Sequence, residues 1–571
     1  MPPTVSDTAP PAASSAASPT VLTRPVRYHA DGGALLEHLT RAGLLRSAGR
    51  SADDGEAAGV RPVDCVLLES ADITTKASRT TVAVLEASAR LTCWGGTVTA
   101  EALSTVDGEG PGADGLAALA RLEERLSEHL ADRSPGRLTL ALPTSADDDA
   151  TNATIEERER LTALSTIEAL RVLAQAEVDH PHLPLEAGAF AFDYLSTFES
   201  LPEVAQGANT CPDYLFYDAR IILVVDHPTQ EATLVGASVD AAELERRLDA
   251  LAAAINTAAD AAEHSPAPPE VAADSAVLHA VPTTSDADFE AVVETMRGYI
   301  ADGDVYQVVP SRGFTIDCPD ALAAYHVLRH ANPSPYMFYL ATPDFELFGA
   351  SPESALLYSV RSGRVAIRPI AGTRPRGLHL DGSVDHERDT RLELELRTDA
   401  KEVAEHVMLV DLARNDVARV SRPGTRSVQD LLRVDRYSRV MHLVSEVSGE
   451  LAEDLDALDA FRASMTMGTL TGAPKLRAAE LIRQAEGVRR GSYGGSVGYI
   501  RGDGELDTCI VIRSGFVVDG TALVQAGAGV VAASSPAAEA AETVHKARAV
   551  LEAVAAAQGA ALVIDTTGKE A

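Results

Sequence analysis

The chain has 571 residues, of which 46% are hydrophobic and 23% charged, and its formal net charge at pH 7 is −35. This composition is typical of a soluble globular protein with several domains, and the negative charge disfavours nucleic acid or an anionic membrane as a partner. No apolar run approaches the roughly 18 residues of a membrane helix, and the N-terminus lacks the apolar segment of a secretory signal. The five scattered cysteines lack metal-ligand spacing, which indicates reduced thiols. We therefore expect a cytoplasmic protein.

Composition divides the chain into two large regions. An Ala/Pro/Ser tract opens the sequence, and a Pro-rich stretch near its middle has few large apolar residues, as interdomain linkers do. The predicted parts are a disordered tail at 1–24, an N-terminal domain at 25–257, a linker at 258–276, a C-terminal domain at 277–556 and a tail at 557–571.

Hydrophobic periodicity predicts a mixture of helices and many short strands in both regions. In chain order, the predicted elements of the N-terminal region are a strand at 63–68, helices at 116–130 and 155–177, and strands at 221–225 and 233–235. Those of the C-terminal region are a helix at 286–300 and strands at 305–310, 337–341, 347–349, 355–360, 495–500, 508–516 and 522–525. Because the helices do not alternate regularly with the strands, we expect an α+β fold.

A further helix is predicted after Asp399, and Glu402 and Glu405 lie one turn apart on it, so their carboxylates face the same way. Glu402 has an alternative role, since Asp399 and Glu402 have the spacing of a capping box. The next acidic residue, Glu405, has no such alternative.

A second carboxylate-bearing helix begins at Ser535-Pro536 and places Glu539, Glu542 and Lys546 in one stripe. Spacing alone favours an exposed Glu–Lys ion pair on this helix. If the two helices met, their carboxylates would form an oxygen-rich site of the kind that Mg²⁺ prefers.

Two glycine-rich segments are poor matches to nucleotide-binding motifs. Gly527-Ala-Gly529 follows a strand, but the next helix begins only at Ser535, too late for a dinucleotide fingerprint. The segment Gly468–Lys475 lacks the Gly-Lys-Ser/Thr of a phosphate loop. Gly494-Gly-Ser-Val-Gly498 has the Gly-x-Ser-x-Gly spacing, but its serine lies within the strand predicted at 495–500 rather than at a strand-to-helix turn, and no Gly-x-Cys-x-Gly setting is present. Serine hydrolase and glutaminase activities are therefore not expected on this chain.

The C-terminal region resembles the chorismate-utilising enzymes. The resemblance rests on the strings at 303–312, Gly349-Ala-Ser-Pro-Glu353, Pro369-Ile-Ala-Gly-Thr-Arg-Pro-Arg-Gly377, 401–416, 468–475 and Gly494-Gly-Ser-Val-Gly-Tyr499. Leu67-Leu-Glu-Ser70 and Asn332-Pro-Ser-Pro-Tyr-Met337 narrow it to component I, the large subunit, of anthranilate synthase. It implies that family's fold, two packed and mainly antiparallel sheets flanked by helices.

Two positions bear on the nucleophile that the resemblance implies. Relatives that add water carry a lysine where this chain has Gln307, and typical aminodeoxychorismate synthases carry one where it has Ala371. Both differences favour ammonia, which a separate glutamine amidotransferase subunit would supply. The implied reaction is Mg²⁺-dependent amination of chorismate at C2, followed by pyruvate elimination to anthranilate, the first committed step of tryptophan biosynthesis.

The resemblance also assigns roles to residues of this chain. The implied catalytic residues are Glu353 as general acid, His442 as base and Thr469 beside the ring. The implied metal ligands are Glu405 and Glu542, with Glu402 and Glu539 in support. The implied substrate-binding residues are Gly372, Thr373, Tyr493, Arg513, Gly527, Ala528, Gly529 and Lys546. The implied inhibitory tryptophan pocket comprises Glu69, Ser70, Pro335, Tyr336 and Met337.

Two other classes of protein remain as alternatives. A catalytically inactive amino-acid sensor would keep the fold and the regulatory pocket, but the presence of Glu353, Glu405, His442 and Glu542 argues against it. A nucleotide-dependent enzyme is disfavoured by both poor glycine motifs.

Overall fold

The computed structural model describes residues 18–49, 59–72, 77–106, 108–144, 157–175, 178–258, 276–379, 383–437 and 440–566. Within them the α-helices are Gly32–Arg41, Ala113–Arg125, Glu157–Thr162, Glu168–Ala174, Ala241–Thr257, Asp286–Asp302, Ala321–Ala331, His386–Thr398, Ala400–Val420, Ala457–Ser464, Gly468–Thr471, Lys475–Glu486 and Pro536–Ala557. Short 3₁₀ helices are Ser127–His129 and Phe192–Thr197. No helix in these ranges is both long and apolar enough to cross a membrane.

The strands of the first half are Thr20–Val26, Ser47–Gly49, Val60–Pro62, Cys65–Ala71, Ser78–Trp94, Thr97–Ala102, Leu130–Ser134, Arg137–Ala141, Leu185–Phe190, Tyr214–Asp226 and Glu231–Ser238. Those of the second half are Val277–Pro282, Gln307–Val308, Ser311–Asp317, Tyr336–Ala341, Glu346–Ser351, Ser354–Ser359, Arg364–Ile367, Ile370–Pro375, Ser427–Arg436, Val440–Glu450, Gly472–Ala473, Ser496–Arg501, Leu506–Ile510, Ser514–Val518, Thr521–Gly527 and Ala561–Ile564. The predicted mixture of helices and mainly antiparallel strands is confirmed, and most of the strands belong to one large sheet.

Hydrogen bonds join 23 of the described strands into one network, and the arrangement as two packed sheets stays a prediction. The two halves of the chain share it. Strand Cys65–Ala71 pairs with Tyr336–Ala341, and Leu185–Phe190 pairs with Ser496–Arg501. Aromatic packing supports this seam, since the ring centroids of Phe190 and Phe461 lie 4.4 Å apart. The halves are therefore joined by backbone pairing and by core packing.

Both predicted tails are too long, because each includes residues that form a strand of the fold. Strand Thr20–Val26 pairs with Glu231–Ser238, so the N-terminal tail ends before residue 24. Because Pro25 cannot donate to a ladder, its presence suits this strand's position at an edge. At the other end, Ala561–Ile564 pairs in parallel with Val277–Pro282, so the last strand lies inside the predicted 557–571 tail. Most of the predicted linker lies outside the described residues.

Several predicted elements have different limits. The single helix predicted at 155–177 is wrong, because two helices, Glu157–Thr162 and Glu168–Ala174, are separated by residues 163–167. The strand predicted at 305–310 is reduced to Gln307–Val308. The strand predicted at 508–516 is interrupted before Ser514, and that interruption contributes a residue to the site described next.

Candidate active site

One cavity of about 510 Å³ brings together residues from distant parts of the C-terminal half. Strands Ile370–Pro375 and Val440–Glu450, helices Ala400–Val420 and Pro536–Ala557, and the end of strand Thr521–Gly527 all contribute to its wall. The predicted site residues that line it are Glu353, Thr373, Glu402, Glu405, His442, Thr469, Tyr493, Arg513, Gly527, Gly529, Glu539, Glu542 and Lys546.

The two glutamate-bearing helices face this cavity together. Asp399 caps the first helix by accepting from the amides of Lys401 and Glu402, at 2.9 and 3.2 Å. The Glu402 side chain does not complete a capping box; its Oε1 accepts from Nη1 of Arg374 at 2.9 Å. Only half of the predicted capping box is therefore present: Asp399 caps the helix, but the Glu402 carboxylate binds an arginine on the neighbouring strand.

The carboxylates differ in their electrostatic environment. Burial, and then the negative charges of Glu402 and Glu542, raise the pKa of Glu405 above its usual value. Burial also raises the pKa of Glu539. Burial opposes ionisation of Glu542 as well, but the Lys546 ammonium, 2.8 Å from its Oε1, together with Glu539 and Lys401, outweighs burial and lowers the pKa. The predicted Glu–Lys ion pair therefore exists, and it lies at the cavity rather than on an unrelated surface.

This set of carboxylates fits a magnesium ion that is completed by other ligands. Among the described residues, no three His, Cys, Asp or Glu side chains cluster closely enough to form a metal-ligand set by themselves. Mg²⁺ is usually held by one or two carboxylates together with water and substrate oxygens. Repulsion between Glu405, Glu402 and Glu542 indicates an excess of negative charge that a divalent cation would relieve.

Glu353 has the environment of a proton donor. It is only 6% exposed, and burial raises its pKa from 4.5 to about 8, although the Thr469 hydroxyl, the Ile370 amide and the charge of Lys546 act in the opposite direction. At neutral pH this carboxyl is therefore mostly protonated. A buried carboxylic acid that lines a cavity is a suitable general acid.

His442 has the opposite property. Burial, and then the positive charges of Arg513 and Lys546, lower its pKa to about 4, so its imidazole is neutral at pH 7. Its Nδ1 lies 3.2 Å from the carbonyl oxygen of Gly372. The same Nδ1 lies 3.0 Å from the Thr373 hydroxyl, which can donate or accept. Because the Gly372 carbonyl can only accept, its contact favours the tautomer that has the proton on Nδ1 and the lone pair on Nε2. The ring is therefore prepared to act as a base through Nε2.

Cationic and small residues complete the cavity wall. Arg513 has φ of +51°, in the left-handed region that costs a non-glycine residue about 1–3 kcal/mol and is found most often at functional sites. This conformation is the interruption of the predicted 508–516 strand. Lys546 donates from Nζ to the carbonyl of Gly527 at 2.9 Å. Arg513 and Lys546 therefore line the same cavity as the four carboxylates, together with Lys401.

The glycine segment beside Lys546 differs in part from the prediction. A Cβ on Gly527 would lie 2.8 Å from the Pro310 backbone oxygen, so close approach of the backbone requires glycine there; one on Gly529 would lie 2.7 Å from Nε2 of Gln307 and would displace that side chain. The predicted role of the Ala528 amide is wrong, because that amide donates to the Pro310 carbonyl at 3.1 Å. Gly372 lies behind the wall, with φ of +81°, and acts through its carbonyl on His442.

Sequence reasoning missed two partners of the carboxylates. In the sequence, Gln307 served only to distinguish ammonia from water as the nucleophile. In the structure its Nε2 donates to Oε1 of Glu405 at 3.1 Å. Arg374, which binds Glu402, was not singled out. Both residues lie within quoted family strings, and that position was the only signal available for them.

The two strings of the predicted tryptophan pocket are adjacent, because Met337 and Glu69 are register partners on neighbouring strands. Glu69 is already engaged by Arg329 at 2.7 Å and by the Tyr325 hydroxyl at 2.5 Å. The Ser70 hydroxyl lies 2.7 Å from that of Thr80. The tryptophan pocket itself stays a prediction.

A family model for chorismate binding enzymes matches residues 132–552. The chain is 48% identical over 500 residues to anthranilate synthase component 1 of Vibrio cholerae, covering 86% of this chain and 91% of that protein. It is 48% identical over 507 residues to anthranilate synthase component 1 of Escherichia coli K12, covering 88% of this chain and 94% of that protein. The crystal structure of anthranilate synthase component I from Streptococcus pneumoniae TIGR4 aligns with a TM-score of 0.60 and 29% identity, covering 83% of this chain and 92% of that chain. The chain therefore belongs to the chorismate-binding enzyme family, in the branch of anthranilate synthase component 1.

Proposed function

We propose that this chain is the large component of an anthranilate synthase, which converts chorismate and ammonia to anthranilate, pyruvate and water. The observation that carries the proposal is the pairing of protonation states in one cavity: a protonated acid, Glu353, and a neutral base, His442. Enzymes with two proton transfers in sequence need such a pair, with pKa values moved apart by their surroundings.

The first step is amination of the ring. The nitrogen lone pair of ammonia attacks C2, both ring double bonds shift (C1=C2 to C1=C6 and C5=C6 to C4=C5), and the C4–O bond breaks. Glu353 donates its proton to the departing hydroxyl, which leaves as water, while the nitrogen releases one proton. Thr469, whose hydroxyl acts on the Glu353 carboxyl, would lie beside the ring.

The second step is elimination of pyruvate. His442 accepts the proton from C2 through Nε2, the bond between C3 and the enolpyruvyl oxygen breaks, and the ring becomes aromatic. Arg513, Tyr493 and Lys546 hold the enolpyruvyl side, with Thr373 and the backbone at Gly527 and Gly529 lining the pocket. Mg²⁺ would supply the positive charge that neutralises the ring carboxylate. Its ligands would be Glu405 and Glu542, with Glu402 and Glu539 in support.

The ammonia comes from a separate glutamine amidotransferase subunit in this proposal. We further propose that free tryptophan inhibits the enzyme through the pocket at Glu69, Ser70, Pro335, Tyr336 and Met337. Pairing of the two strands that carry these residues supports the second proposal. Since the carboxylate of Glu69 already has partners, tryptophan would have to share or displace them.

The test is an assay of the purified chain with chorismate, ammonium and Mg²⁺, followed by anthranilate fluorescence. We expect fluorescence with ammonium, none with glutamine alone, and recovery with glutamine when an amidotransferase is added. Glu353→Gln is the matched control for contaminating enzyme. Absence of anthranilate, with chorismate converted to isochorismate or to aminodeoxychorismate instead, would contradict the proposed reaction.

A further inference from the structure

A second cavity, of about 390 Å³, lies in the N-terminal half of the chain. Helix Ala113–Arg125 and strand Tyr214–Asp226 contribute to its wall, and none of its lining residues lines the candidate active site. Its volume falls within the range of about 300–1,000 Å³ that is usual for small-molecule sites. This cavity has no part in the proposed reaction.

Two arginines on the same helix face this cavity. Arg121 and Arg125 are four residues apart, so they lie on one side of the helix. Within the described part of the chain, neither forms a salt bridge or a hydrogen bond, and Nε of Arg121 is buried without an acceptor. By contrast, Arg220 in the same wall is fully engaged by Glu86, Asp114 and Glu243. The helix therefore presents two guanidinium groups whose donors are available to an anion.

The acidic residues that the structure describes near Arg121 do not accept hydrogen bonds from its guanidinium group. Asp114 already accepts from Arg220 and from Ser238, so it is not directed at Arg121. Asp218 accepts from the Ser88 hydroxyl. Burial, and then the charge of Asp218, raise the pKa of its cross-strand neighbour Glu186 well above the usual value, which opposes ionisation of that carboxyl. Asp218, and Glu124 on the same helix as the arginines, are then the acidic lining residues beside Arg121 and Arg125 that are not engaged by Arg220.

The remaining wall is largely apolar and would accommodate a hydrocarbon body. Its apolar members are Ala117, Val172, Val178, Leu183, Pro184, Ala219, Ala237 and Val239. We propose that this cavity binds a small organic carboxylate with an apolar body, with the carboxylate on Arg121 and Arg125. Guanidinium groups match carboxylates in shape and charge, which makes this pairing stronger than a neutral hydrogen bond.

The experiment uses the full chain and three probes of similar size: phenylacetate, which has a carboxylate, benzylamine, which has an ammonium group, and benzyl alcohol, which has no charge. Of the three probes, we expect calorimetry to detect binding of phenylacetate only. Hydrogen exchange should then show that phenylacetate protects Ala113–Arg125 and Tyr214–Asp226. Arg121→Met should weaken phenylacetate binding about tenfold or more, because a charged hydrogen bond is lost. Arg133→Met is the matched control, since Arg133 pairs with Glu123 on the surface, and it should not change the affinity.

Ala117→Leu provides a second variant, because it fills the cavity without removing a charge; it should abolish phenylacetate binding even if Arg121→Met fails to fold. Three results would overturn the proposal. One is binding of benzylamine as tight as that of phenylacetate. Another is protection confined to the helices of the candidate active site, Ala400–Val420 and Pro536–Ala557. The third is no phenylacetate binding, or binding unaffected by Ala117→Leu.

Discussion

Replacing Glu353 by glutamine should remove activity and at the same time stabilise the fold at neutral pH. Glu353 has a pKa of about 8 in the folded chain, against 4.5 when unperturbed. Between these values the folded state retains a proton that the unfolded state releases, so this group lowers stability as pH rises from 4.5 to 8. At pH 7 the cost is about 3 kcal/mol, from about 1.4 kcal/mol per pH unit over 2.5 units. Glutamine has nearly the same shape and does not ionise, so it avoids this cost.

The assay compares urea unfolding and ammonia-dependent anthranilate formation for the wild type and Glu353→Gln. We expect the stability gain to be absent at pH 4.5, to grow with pH and to level off above pH 8. Turnover should fall about 10²–10⁴-fold, as is usual when a general acid is lost. The wild-type rate should itself fall about tenfold per pH unit above pH 8. A variant that is less stable at pH 7, or that keeps more than a tenth of the activity, would refute the reasoning.

Three further predictions address the metal, the base and the regulatory pocket. Glu405→Gln or Glu542→Gln should abolish Mg²⁺-dependent turnover without unfolding; activity retained by both variants in a Mg²⁺ titration would contradict the metal assignment. His442→Ala should let the aminated, pyruvate-bearing intermediate accumulate, seen by chromatography, and an equal loss of chorismate consumption would contradict a role in the second step. Because the pKa of His442 is about 4, this residue stays mostly neutral between pH 7 and pH 5. Its protonation should therefore not lower wild-type turnover over that range. Ser70→Phe should make initial rates insensitive to tryptophan at near-normal turnover; wild-type rates that ignore tryptophan at subsaturating chorismate would exclude the pocket.

The helices that carry the glutamates were predictable from the sequence. Asp399 and Ser535-Pro536 mark their starts, and a spacing of three residues places the members of each carboxylate pair on one side. Spacing could not show that the two helices face one cavity, because this depends on contacts between residues more than a hundred positions apart. The family resemblance supplied that information, and the cavity confirms that these residues lie together.

The sequence could not show where tertiary contacts override local preference. Residues 163–167 interrupt an apolar pattern that otherwise predicts one helix, and the Glu168 amide there donates to the Ser165 carbonyl. Arg513 adopts a positive φ that no arginine prefers on its own. The Ala528 amide was expected to meet the substrate, yet it bonds Pro310. Two of these departures involve partners distant in sequence: the Thr166 carbonyl accepts from the Tyr214 hydroxyl, and the Ala528 amide donates to Pro310.

The measurement that tests the central claim most directly follows the nitrogen. The purified chain is incubated with chorismate, Mg²⁺ and ¹⁵N-labelled ammonium, and the products are analysed by mass spectrometry alongside a pyruvate assay. We predict anthranilate that carries one ¹⁵N atom, formed in equal amount with pyruvate, and neither product from Glu353→Gln. Chorismate that stays unchanged in the wild type, or an aminated product that forms without pyruvate, would contradict the account.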